Sequence, residues 1–371
     1  MIAPPELRLC NEAGLTIRVN PLGATWTSCI LPLPDGERRE LLLGSRDLGA
    51  MLAGGSYLGA TVGRYAGRIA QGRFGPHQLD RNQPPHCLHG GSQGFSRRLW
   101  TLVSADAGAA DAGQTQEPIR DRTRGGIGNG ADGRIEGGVD GDIDERPNGG
   151  IRREIRLRLT SPDGDQGFPG TLQAEVSFLL ANDNSVTIRF SATTDAPTPC
   201  NLTSHTYFNL NGGNRDDGLS QSLKLAATHY QPVMADGLPD GPPRPVASTG
   251  FDFQRLKRLD QDFLQDEAQQ RVGGYDHSFL LDAPGMLQPA AELRASDGQV
   301  NLLIFSDQPA LHLYTGQYLG GTAKRDGSPY LPLAGIALES QYPPDSPSRG
   351  EAILLPGQTY HHQIRYQFRT P

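Results

Sequence analysis

The chain has 371 residues, a length that suits one large β domain or two ordinary domains. Its formal net charge of -7 argues against a nucleic-acid partner, which would require a basic face. Glycine (47 residues) and proline (29 residues) are abundant and long helical periodicity is hard to find, so the composition favours an all-β protein with many turns.

The four cysteines are scattered, without a CxxC pair or the dense spacing of a disulfide framework. They are Cys10, Cys29, Cys87 and Cys200. This usage is typical of free thiols in a reducing compartment. The N-terminus has no signal-peptide pattern, and no stretch approaches the roughly 20 apolar residues of a membrane span. We therefore expect a cytoplasmic protein without a membrane partner.

The first third of the chain combines short alternating stretches with a glycine-rich segment. LTIRVN (15–20) predicts a strand, and the glycine-rich segment follows at 54–74. Glycine at this density lets backbone pass close to a ligand or to another strand. The segment is not a phosphate loop, because no Gly-Lys-Ser/Thr follows. Its arginines, Arg64, Arg68 and Arg73, could bind a substrate or pair with surface carboxylates.

Two histidines stand three residues apart in HCLHGG, a spacing that raises the question of a metal site. The glycines after His89 argue against the helix that would place it on one face with His86, and no third ligand is near in sequence. We therefore expect no metal here. The pattern favours His89 at the end of a strand, facing a pocket across a glycine turn.

Residues 104–150 break the composition of the chain. The segment is rich in Gly, Asp and Arg and has no aromatic side chain and no leucine, so it cannot bury enough apolar area to offset its ordering entropy. Part of it resembles a calcium-binding nonapeptide repeat, but it lacks a tandem array. The sequence predicts a disordered insertion within a single domain that spans residues 1–371.

Strand patterns resume after the insertion. Alternation predicts a strand over 151–160, and 172–180 pairs with 186–193 in a hairpin-like arrangement. A second hairpin is expected over 293–307, whereas 251–270 is the one region that could hold a helical turn or two.

The stretch NLTSHTYFNL (201–210) alternates strictly, so one face of the predicted strand carries a row of hydrogen-bonding groups. The row consists of Asn201, Thr203, His205, Tyr207 and Asn209. A strand holds such groups in fixed positions, which suits recognition of a polyhydroxy ligand. The alternative is a half-exposed strand with an ordinary polar face.

Candidate site residues also lie in the last third of the chain. Asp276 and His277 head an apolar strand, and ALHLYTGQYL (310–319) alternates around His312. In GIALESQYPPDSPS, Glu339 shares one strand face with Ala337 and Gln341. Each of these residues taken alone is commonly a surface or ion-paired group.

Taken together, these segments resemble the aldose 1-epimerases, or galactose mutarotases. The matching pieces are GATVGRYAGRIAQGRF, CLHGG, GFSRRLW, DGDQGFPG, NLTSHTYFNL, YDHSFLL, LESQYPPDSPS and PGQTY. They cover most of the chain from residue 59 onward outside the insertion. The resemblance implies a large antiparallel β-sandwich with very little helix, in agreement with the strand patterns.

The resemblance also implies roles. His205 would be the general acid toward the ring oxygen of the sugar, and Glu339 the general base toward the anomeric hydroxyl. His89, Asp276 and Arg68 would hold sugar hydroxyls. An acid–base pair suffices to open and reclose a hemiacetal, so no cofactor is expected.

Two positions depart from the family pattern. Many members have Asn where this chain has Gly67, and many have Gln where it has His312. Both positions concern sugar binding, and His312 is therefore a candidate substrate-binding residue. We expect an aldose as the small-molecule partner and a monomer or weak homodimer.

Three other functions remain open at this stage. A hexose-6-phosphate 1-epimerase would need a further basic cluster near the phosphate. A sugar-binding module without turnover would not need an acid–base pair. A β-sandwich glycoside hydrolase would use two carboxylates, such as Asp276 and Glu339, and would leave His205 without a role.

Overall fold

Antiparallel β-strands are the main regular secondary structure of the described residues. The structure is a computed structural model that describes residues 5–106 and 153–371. In the first range the strands are β1 (Leu7–Cys10), β2 (Thr16–Asn20), β3 (Thr25–Pro32), β4 (Arg38–Glu40), β5 (Thr61–Val62), β6 (Arg68–Ile69), β7 (Arg73–Phe74), β8 (His77–Gln78), β9 (Cys87–Leu88) and β10 (Thr101–Ala105). In the second range they are β11 (Arg153–Ser161), β12 (Leu172–Leu180), β13 (Ser185–Thr194), β14 (Thr198–Pro199), β15 (Thr203–Ser204), β16 (Tyr207–Phe208), β17 (Ser222–Leu225), β18 (Ala227–Gln231), β19 (Arg244–Pro245), β20 (Lys257–Arg258), β21 (Asp276–Leu281), β22 (Gln288–Arg294), β23 (Asn301–Ser306), β24 (Ala310–Tyr314), β25 (Ile336–Gln341), β26 (Ile353–Leu354) and β27 (Tyr360–Arg369).

Helix is confined to short segments. The α-helices of these two ranges are α1 (Leu48–Ala53) and α2 (Glu267–Val272), and 3-10 turns occupy Ala70–Gly72, Phe95–Arg97, Asp165–Gly167, Gly218–Ser220 and Ser346–Arg349. Helix α2 overlaps the end of the region predicted to hold a helical turn, whereas α1 was not predicted, because six residues are too few to show a helical period. Within the described ranges, no helix is long and apolar enough to cross a membrane.

Two large sheets and one smaller sheet contain most of the strands. The orders are β10-β11-β12-β13-β27-β23-β22-β17-β20, β16-β25-β24-β21-β18-β19 and β1-β2-β3-β4. The long ladders are antiparallel. One hydrophobic core includes Val176 and Ile304 from the nine-stranded sheet and Leu313 and Leu338 from the six-stranded sheet. The predicted antiparallel β-sandwich is confirmed, as are the two predicted hairpins.

Three aromatic rings join the three sheets at the centre of this core. Trp26 of β3 contacts Phe208 of β16 at a centroid distance of 6.2 Å and Tyr366 of β27 at 5.3 Å, and Phe208 and Tyr366 are 5.4 Å apart. All three side chains are buried. Aromatic contacts of this kind stabilise beyond the area that they bury, so this cluster fixes β16 against the nine-stranded sheet.

Strand β25 is buried along its whole length, on both of its faces. Ile336 and Leu338 enter the core, whereas the alternate residues Glu339 and Gln341 face the other way, as the alternation predicted. The register places Glu339 directly opposite His312 of β24. The fold therefore fixes a carboxylate in a fully buried strand.

The stretch 201–210 is not the continuous strand that its alternation predicted. Two-residue strand β15 pairs with β5, and β16 then pairs with β25, so the chain changes partner at His205. The backbone of His205 is held by Gly59 and Ala60 instead, with N–H···O distances of 2.9 and 2.8 Å. A short glycine-flanked segment thus supplies the hydrogen bonds that a ladder would otherwise provide.

Most of the predicted insertion at 104–150 lies outside the described residues. Its first three residues are described, and they correct the predicted boundary: Ser104 and Ala105 still belong to β10, which pairs with β11. The predicted strand over 151–160 begins at Arg153 as described and extends to Ser161. The drop in hydrophobicity therefore predicted a start for the insertion at residue 104, although β10 continues to Ala105.

Arg64 of the glycine-rich segment has neither of the two roles considered from the sequence, which were substrate binding and pairing with a surface carboxylate. Its side chain is buried, and its guanidinium donates to Ser161 Oγ (3.0 Å) and to the carbonyl oxygens of Ser161 (2.9 Å), Pro162 (2.8 Å) and Pro169 (2.9 Å). Burial lowers the pKa of Arg64 to about 10. The arginine ties the glycine-rich segment to the loop that joins β11 and β12.

We predict that Arg64→Met lowers the free energy of unfolding by about 3 kcal/mol or more, because each buried acceptor left unpartnered costs about 1–3 kcal/mol. Arg73→Met is the matched control: Arg73 lies in the same segment but is exposed, so the change should stay within about 0.5 kcal/mol. Urea unfolding of both variants measures the difference. Equal midpoints for the two variants would show that the buried guanidinium is not a structural anchor.

Candidate active site

One pocket with a volume of about 290 Å³ brings together all six residues that the sequence singled out. They are Arg68, His89, His205, Asp276, His312 and Glu339. Tyrosine side chains and Gln341 complete much of its wall. A second groove, of about 200 Å³, is lined by residues of β11, β12 and β13 and contains none of the predicted site residues.

His205 and Glu339 face each other inside this pocket. Nε2 of His205 lies 3.6 Å from Oε1 of Glu339, and both side chains are almost completely buried. This distance exceeds that of an N–H···O hydrogen bond, so the two groups are close without being locked together. Nδ1 of His205 and Oε2 of Glu339 have no hydrogen-bond partner within residues 5–106 and 153–371. Buried polar atoms without partners are uncommon, and both of these belong to side chains that line the pocket.

His89 approaches the pair from the glycine-rich side. Its ring is 5.3 Å from that of His205, and its Nδ1 accepts a hydrogen bond from the backbone N–H of Gly67 at 3.2 Å. Burial and the nearby His205 hold the pKa of His89 well below its usual value. The ring is therefore neutral with its proton on Nε2, which makes His89 a hydrogen-bond donor.

His89, His205 and Glu339 also form a group that could hold a metal ion, since one ligand atom from each lies within 4.8 Å of the others. The donor set fits this role poorly. A metal-bound histidine normally donates its second N–H to an acceptor, whereas Nδ1 of His89 already accepts from Gly67. His86 takes no part, because its nitrogens are bonded to Asp236 and to the N–H of Gln71.

Asp276 lies across the pocket from this group and is held by His312. Nε2 of His312 is 2.7 Å from Oδ1 of Asp276, and Nδ1 of His312 is 2.9 Å from Oγ of Ser278. Burial opposes ionisation of Asp276, but the bond to His312 and the charge of Arg68 outweigh it and hold the pKa of the carboxyl well below its usual value. Asp276 is therefore an ionised acceptor at neutral pH.

Arg68 is the one arginine of the glycine-rich segment that lines the pocket. It is partly exposed, and its Nε donates to Oε1 of Gln83 at 2.7 Å. Arg68 lines the same pocket as the ionised Asp276. Arg68 can therefore offer several donors to hydroxyl oxygens of a ligand.

Aromatic rings surround His205, and most of them were not predicted from the sequence. Tyr57 stacks on His205 at 5.6 Å and meets His89 edge-on at 4.8 Å, while Tyr207 lies 5.0 Å from His205. Tyr57 has a positive φ of 55°, which no sequence pattern signals. Tyr207 belongs to the row of polar groups that the alternation predicted, and it lines the pocket. These rings limit the access of water to the imidazole of His205.

Gln341 is a further pocket residue that the sequence could have revealed, because it shares a strand face with Glu339. The residue is 1% exposed and lines the pocket, and its Oε1 has no hydrogen-bond partner in the described part of the chain. A side chain at position 67 would point toward it: a Cβ on Gly67 would lie 3.7 Å from Nε2 of Gln341. Because position 67 is Gly where many family members have Asn, no side chain fills the space beside Gln341, whose Oε1 is unpartnered.

His277, the last histidine considered from the sequence, does not reach the pocket. It is buried and packs against Phe251 and Tyr230, with ring centroids 4.7 and 5.8 Å away. Burial lowers the pKa of His277 to about 3, partly opposed by the charge of Asp276. His277 therefore belongs to the core in its neutral form.

The comparisons with known proteins agree with this geometry. A family model described as Aldose 1-epimerase matches residues 5–117 and 142–367. The aldose 1-epimerase of Escherichia coli (strain K12) is 36% identical over 372 residues, which cover 98% of this chain and 94% of that protein. Mouse galactose mutarotase is 30% identical and covers 95% of this chain and 91% of its own length. A solved galactose 1-epimerase from Lactobacillus acidophilus NCFM has a TM-score of 0.75 at 28% identity, covering 98% of this chain and 94% of that one.

The chain belongs to the aldose 1-epimerase family. The family resemblance inferred from the sequence is confirmed, and with it the class of enzyme, an isomerase of the mutarotase type. The roles of individual residues rest on the geometry of the pocket.

We predict that Gln341→Leu raises the KM for an aldose about two- to tenfold, since a net hydrogen bond contributes about 0.5–1.5 kcal/mol. Gln308→Leu is the matched control: Gln308 is also buried with an unpartnered Oε1, but it does not line the pocket. Initial rates of anomer interconversion at several sugar concentrations give both KM values. If the two variants behave alike, Gln341 does not contact the substrate.

The depressed pKa of His277 predicts a loss of stability in acid. Between about pH 6.5 and 3 the unfolded chain binds a proton that the folded chain excludes, so stability falls by up to about 1.4 kcal/mol per pH unit as pH decreases. His89 contributes in the same direction. His277→Phe keeps the aromatic contacts and should make the decline between pH 7 and 5 shallower by up to about 2 kcal/mol. Urea unfolding at several pH values measures the slope, and an unchanged slope would contradict the assignment.

Proposed function

We propose that this enzyme interconverts the α and β anomers of free aldohexoses, among them galactose and glucose, through acid–base catalysis by His205 and Glu339. The observation that carries this proposal is the buried His205–Glu339 pair, separated by 3.6 Å inside a pocket lined by hydrogen-bonding groups. Mutarotation needs one group at the anomeric hydroxyl and another at the ring oxygen. These two oxygens are bonded to the same carbon, so both can reach the pair at once.

The reaction follows from two proton transfers. Glu339 takes the proton of the hydroxyl on C1, the electrons form the C1 carbonyl, the C1–O5 bond breaks, and O5 receives a proton from Nε2 of His205. The aldehyde then rotates about the C1–C2 bond. Reclosure reverses both transfers on the other face: O5 returns its proton to His205 and attacks C1, while Glu339 returns its proton to the carbonyl oxygen. Each positioned group typically contributes about 10²–10⁴-fold.

The strand order gives the direction of the sugar ring. His205 lies next to β16, on one side of Glu339 in β25, whereas His312 and Asp276 lie on β24 and β21, on the other side. A pyranose with O1 at Glu339 and O5 toward His205 therefore directs C2 and C3 toward Asp276. Asp276 would accept hydroxyl protons there, and His89 and Arg68 would donate to other sugar oxygens.

The alternatives receive less support from the pocket. Arg68 is the one Arg or Lys among the pocket-lining residues that the structure describes, whereas a hexose 6-phosphate would call for a basic cluster. A glycoside hydrolase would need a second carboxylate free to act as acid, but Asp276 is fixed by His312 and ionised. A protein that only binds sugar does not need a buried histidine and glutamate that lie close together without a hydrogen bond.

We also propose that the chain works as one domain in the cytoplasm, as a monomer or weak homodimer. All four cysteines are unpaired, and burial raises the pKa of Cys87 and Cys200 to about 12, which suits unreactive thiols in a reducing compartment.

We predict that Glu339→Gln and His205→Asn each slow the enzymatic interconversion of α-D-galactose by about 10²–10⁴-fold, because each removes one proton-transfer group. Polarimetry of freshly dissolved sugar measures the approach to equilibrium, and Arg73→Gln, outside the pocket, serves as the control. Full activity in either variant would exclude that residue as acid or base. If the unaltered enzyme accelerates only hexose 6-phosphates, the proposed substrate class is wrong.

A further inference from the structure

Three polar side chains on two neighbouring strands form a hydrogen-bonded row beside the catalytic pair. Ser278 of β21 and His312 of β24 are direct cross-strand partners, and Asp276 lies two residues before Ser278, on the same face. The hydroxyl of Ser278 is bonded to Nδ1 of His312 at 2.9 Å, and Nε2 of His312 to Oδ1 of Asp276 at 2.7 Å. Both ring nitrogens of His312 are thus engaged by protein groups.

The direction of both hydrogen bonds follows from the burial of Ser278. Its side chain is fully buried, and among the residues described here Nδ1 of His312 is the one acceptor that its hydroxyl reaches. A buried donor without an acceptor costs about 1–3 kcal/mol. Ser278 therefore donates to Nδ1, the neutral ring of His312 carries its proton on Nε2, and that proton is donated to Asp276.

The row leaves a single free acceptor for a ligand. Oδ1 of Asp276 is occupied by His312, whereas Oδ2 receives no hydrogen bond from any residue in the described ranges. The Asp276 side chain is 13% exposed and lines the pocket. His312 also lines the pocket, but it has neither an N–H nor a ring lone pair left to offer to a sugar.

We propose that Ser278 and His312 are positioning residues that orient the Asp276 carboxylate, so that its Oδ2 accepts a hydroxyl proton from the C2–C3 side of the sugar. His312 acts through Asp276 and does not itself hydrogen-bond the substrate, which revises the role expected for it from the sequence. This inference rests on the proposed epimerase function of the pocket. It explains how the chain can carry His where many family members have Gln.

Gln is the conservative replacement that tests this explanation. Its amide N–H can donate to Asp276 while its carbonyl oxygen accepts from Ser278, which reproduces the donor and acceptor of the Nε2–H ring. His312→Gln should therefore keep the KM for galactose within about threefold of the unaltered enzyme. His312→Leu can make neither bond, and its KM should rise about tenfold or more with kcat changed less than threefold, since a hydrogen bond to a charged group contributes about 1.5–3 kcal/mol. Ser278→Ala removes only the outer bond and should raise KM several-fold.

A double-mutant cycle with Asp276→Asn distinguishes positioning from direct contact. Binding of galactose is measured calorimetrically for the unaltered enzyme, His312→Leu, Asp276→Asn and the double variant. If His312 acts only through the carboxylate, His312→Leu weakens binding about tenfold in the first background and less than twofold in the Asp276→Asn background. Equal losses in both backgrounds would show that His312 touches the sugar, and would overturn the proposal.

Controls separate this result from a folding defect and from failure of the proposed function. His229→Leu, at an exposed position of β18 outside the pocket, should leave KM and binding unchanged. A structural role alone would lower the unfolding midpoint of His312→Leu without a selective rise in KM and without rescue by Gln. If the unaltered enzyme accelerates mutarotation but His312→Gln is as impaired as His312→Leu, the positioning role is wrong while the proposed function stands. If the unaltered enzyme neither binds nor interconverts galactose, the proposed function itself fails.

Discussion

The buried position of Glu339 in a strand that is covered on both faces is the constraint on which the site depends. Strand β25 lies between β16 and β24, so its side chains on the pocket face are fixed by ladders on either side. A carboxylate in such a place loses most of its hydration, and its Oε2 has no hydrogen-bond partner among the described residues. Its neighbour is the imidazole of His205 at 3.6 Å, a distance that leaves both groups available. The fold thus maintains a buried imidazole and carboxylate with unpartnered atoms, as the proposed acid–base pair requires.

The other residues around the pocket either hold His205 and Glu339 in position or would contact the proposed ligand. Buried Arg64 secures the glycine-rich segment, whose backbone in turn fixes His205 and sets the tautomer of His89 through Gly67. On the opposite side of Glu339, the row from Ser278 through His312 presents one ionised carboxylate. In the proposed complex, the donors His89 and Arg68 and the acceptor Asp276 would surround the sugar ring with complementary groups, each placed by a strand or by a tightly bonded turn.

Alternation predicted an all-β chain and its long hairpins, whereas the sandwich and the six residues that the pocket brings together were expected from the resemblance to the aldose 1-epimerases. Sequence patterns did not predict what depends on long-range contacts. The stretch around His205 changes partner strands, Asn201 and Asn209 bond to backbone instead of lining the pocket, and Tyr57 reaches His205 only through a positive φ. Arg64 and Arg68 are four residues apart in one motif, yet one is a buried anchor and the other lines the pocket. Local sequence cannot distinguish them, since the environment of Arg64 is set by a segment 97 residues away, as its bond to Ser161 shows.

The orientation of the sugar between His205 and Asp276 is the central claim, and a crystal structure of Glu339→Gln with galactose bound tests it most directly. The amide cannot accept the hydroxyl proton, so the sugar should remain in its ring form during the experiment. The geometry predicts O1 within hydrogen-bond distance of residue 339, O5 within hydrogen-bond distance of Nε2 of His205, and a hydroxyl on C2 or C3 bonded to Oδ2 of Asp276. A ring bound with O5 toward Asp276 and His312, or with O1 away from residue 339, would contradict the account.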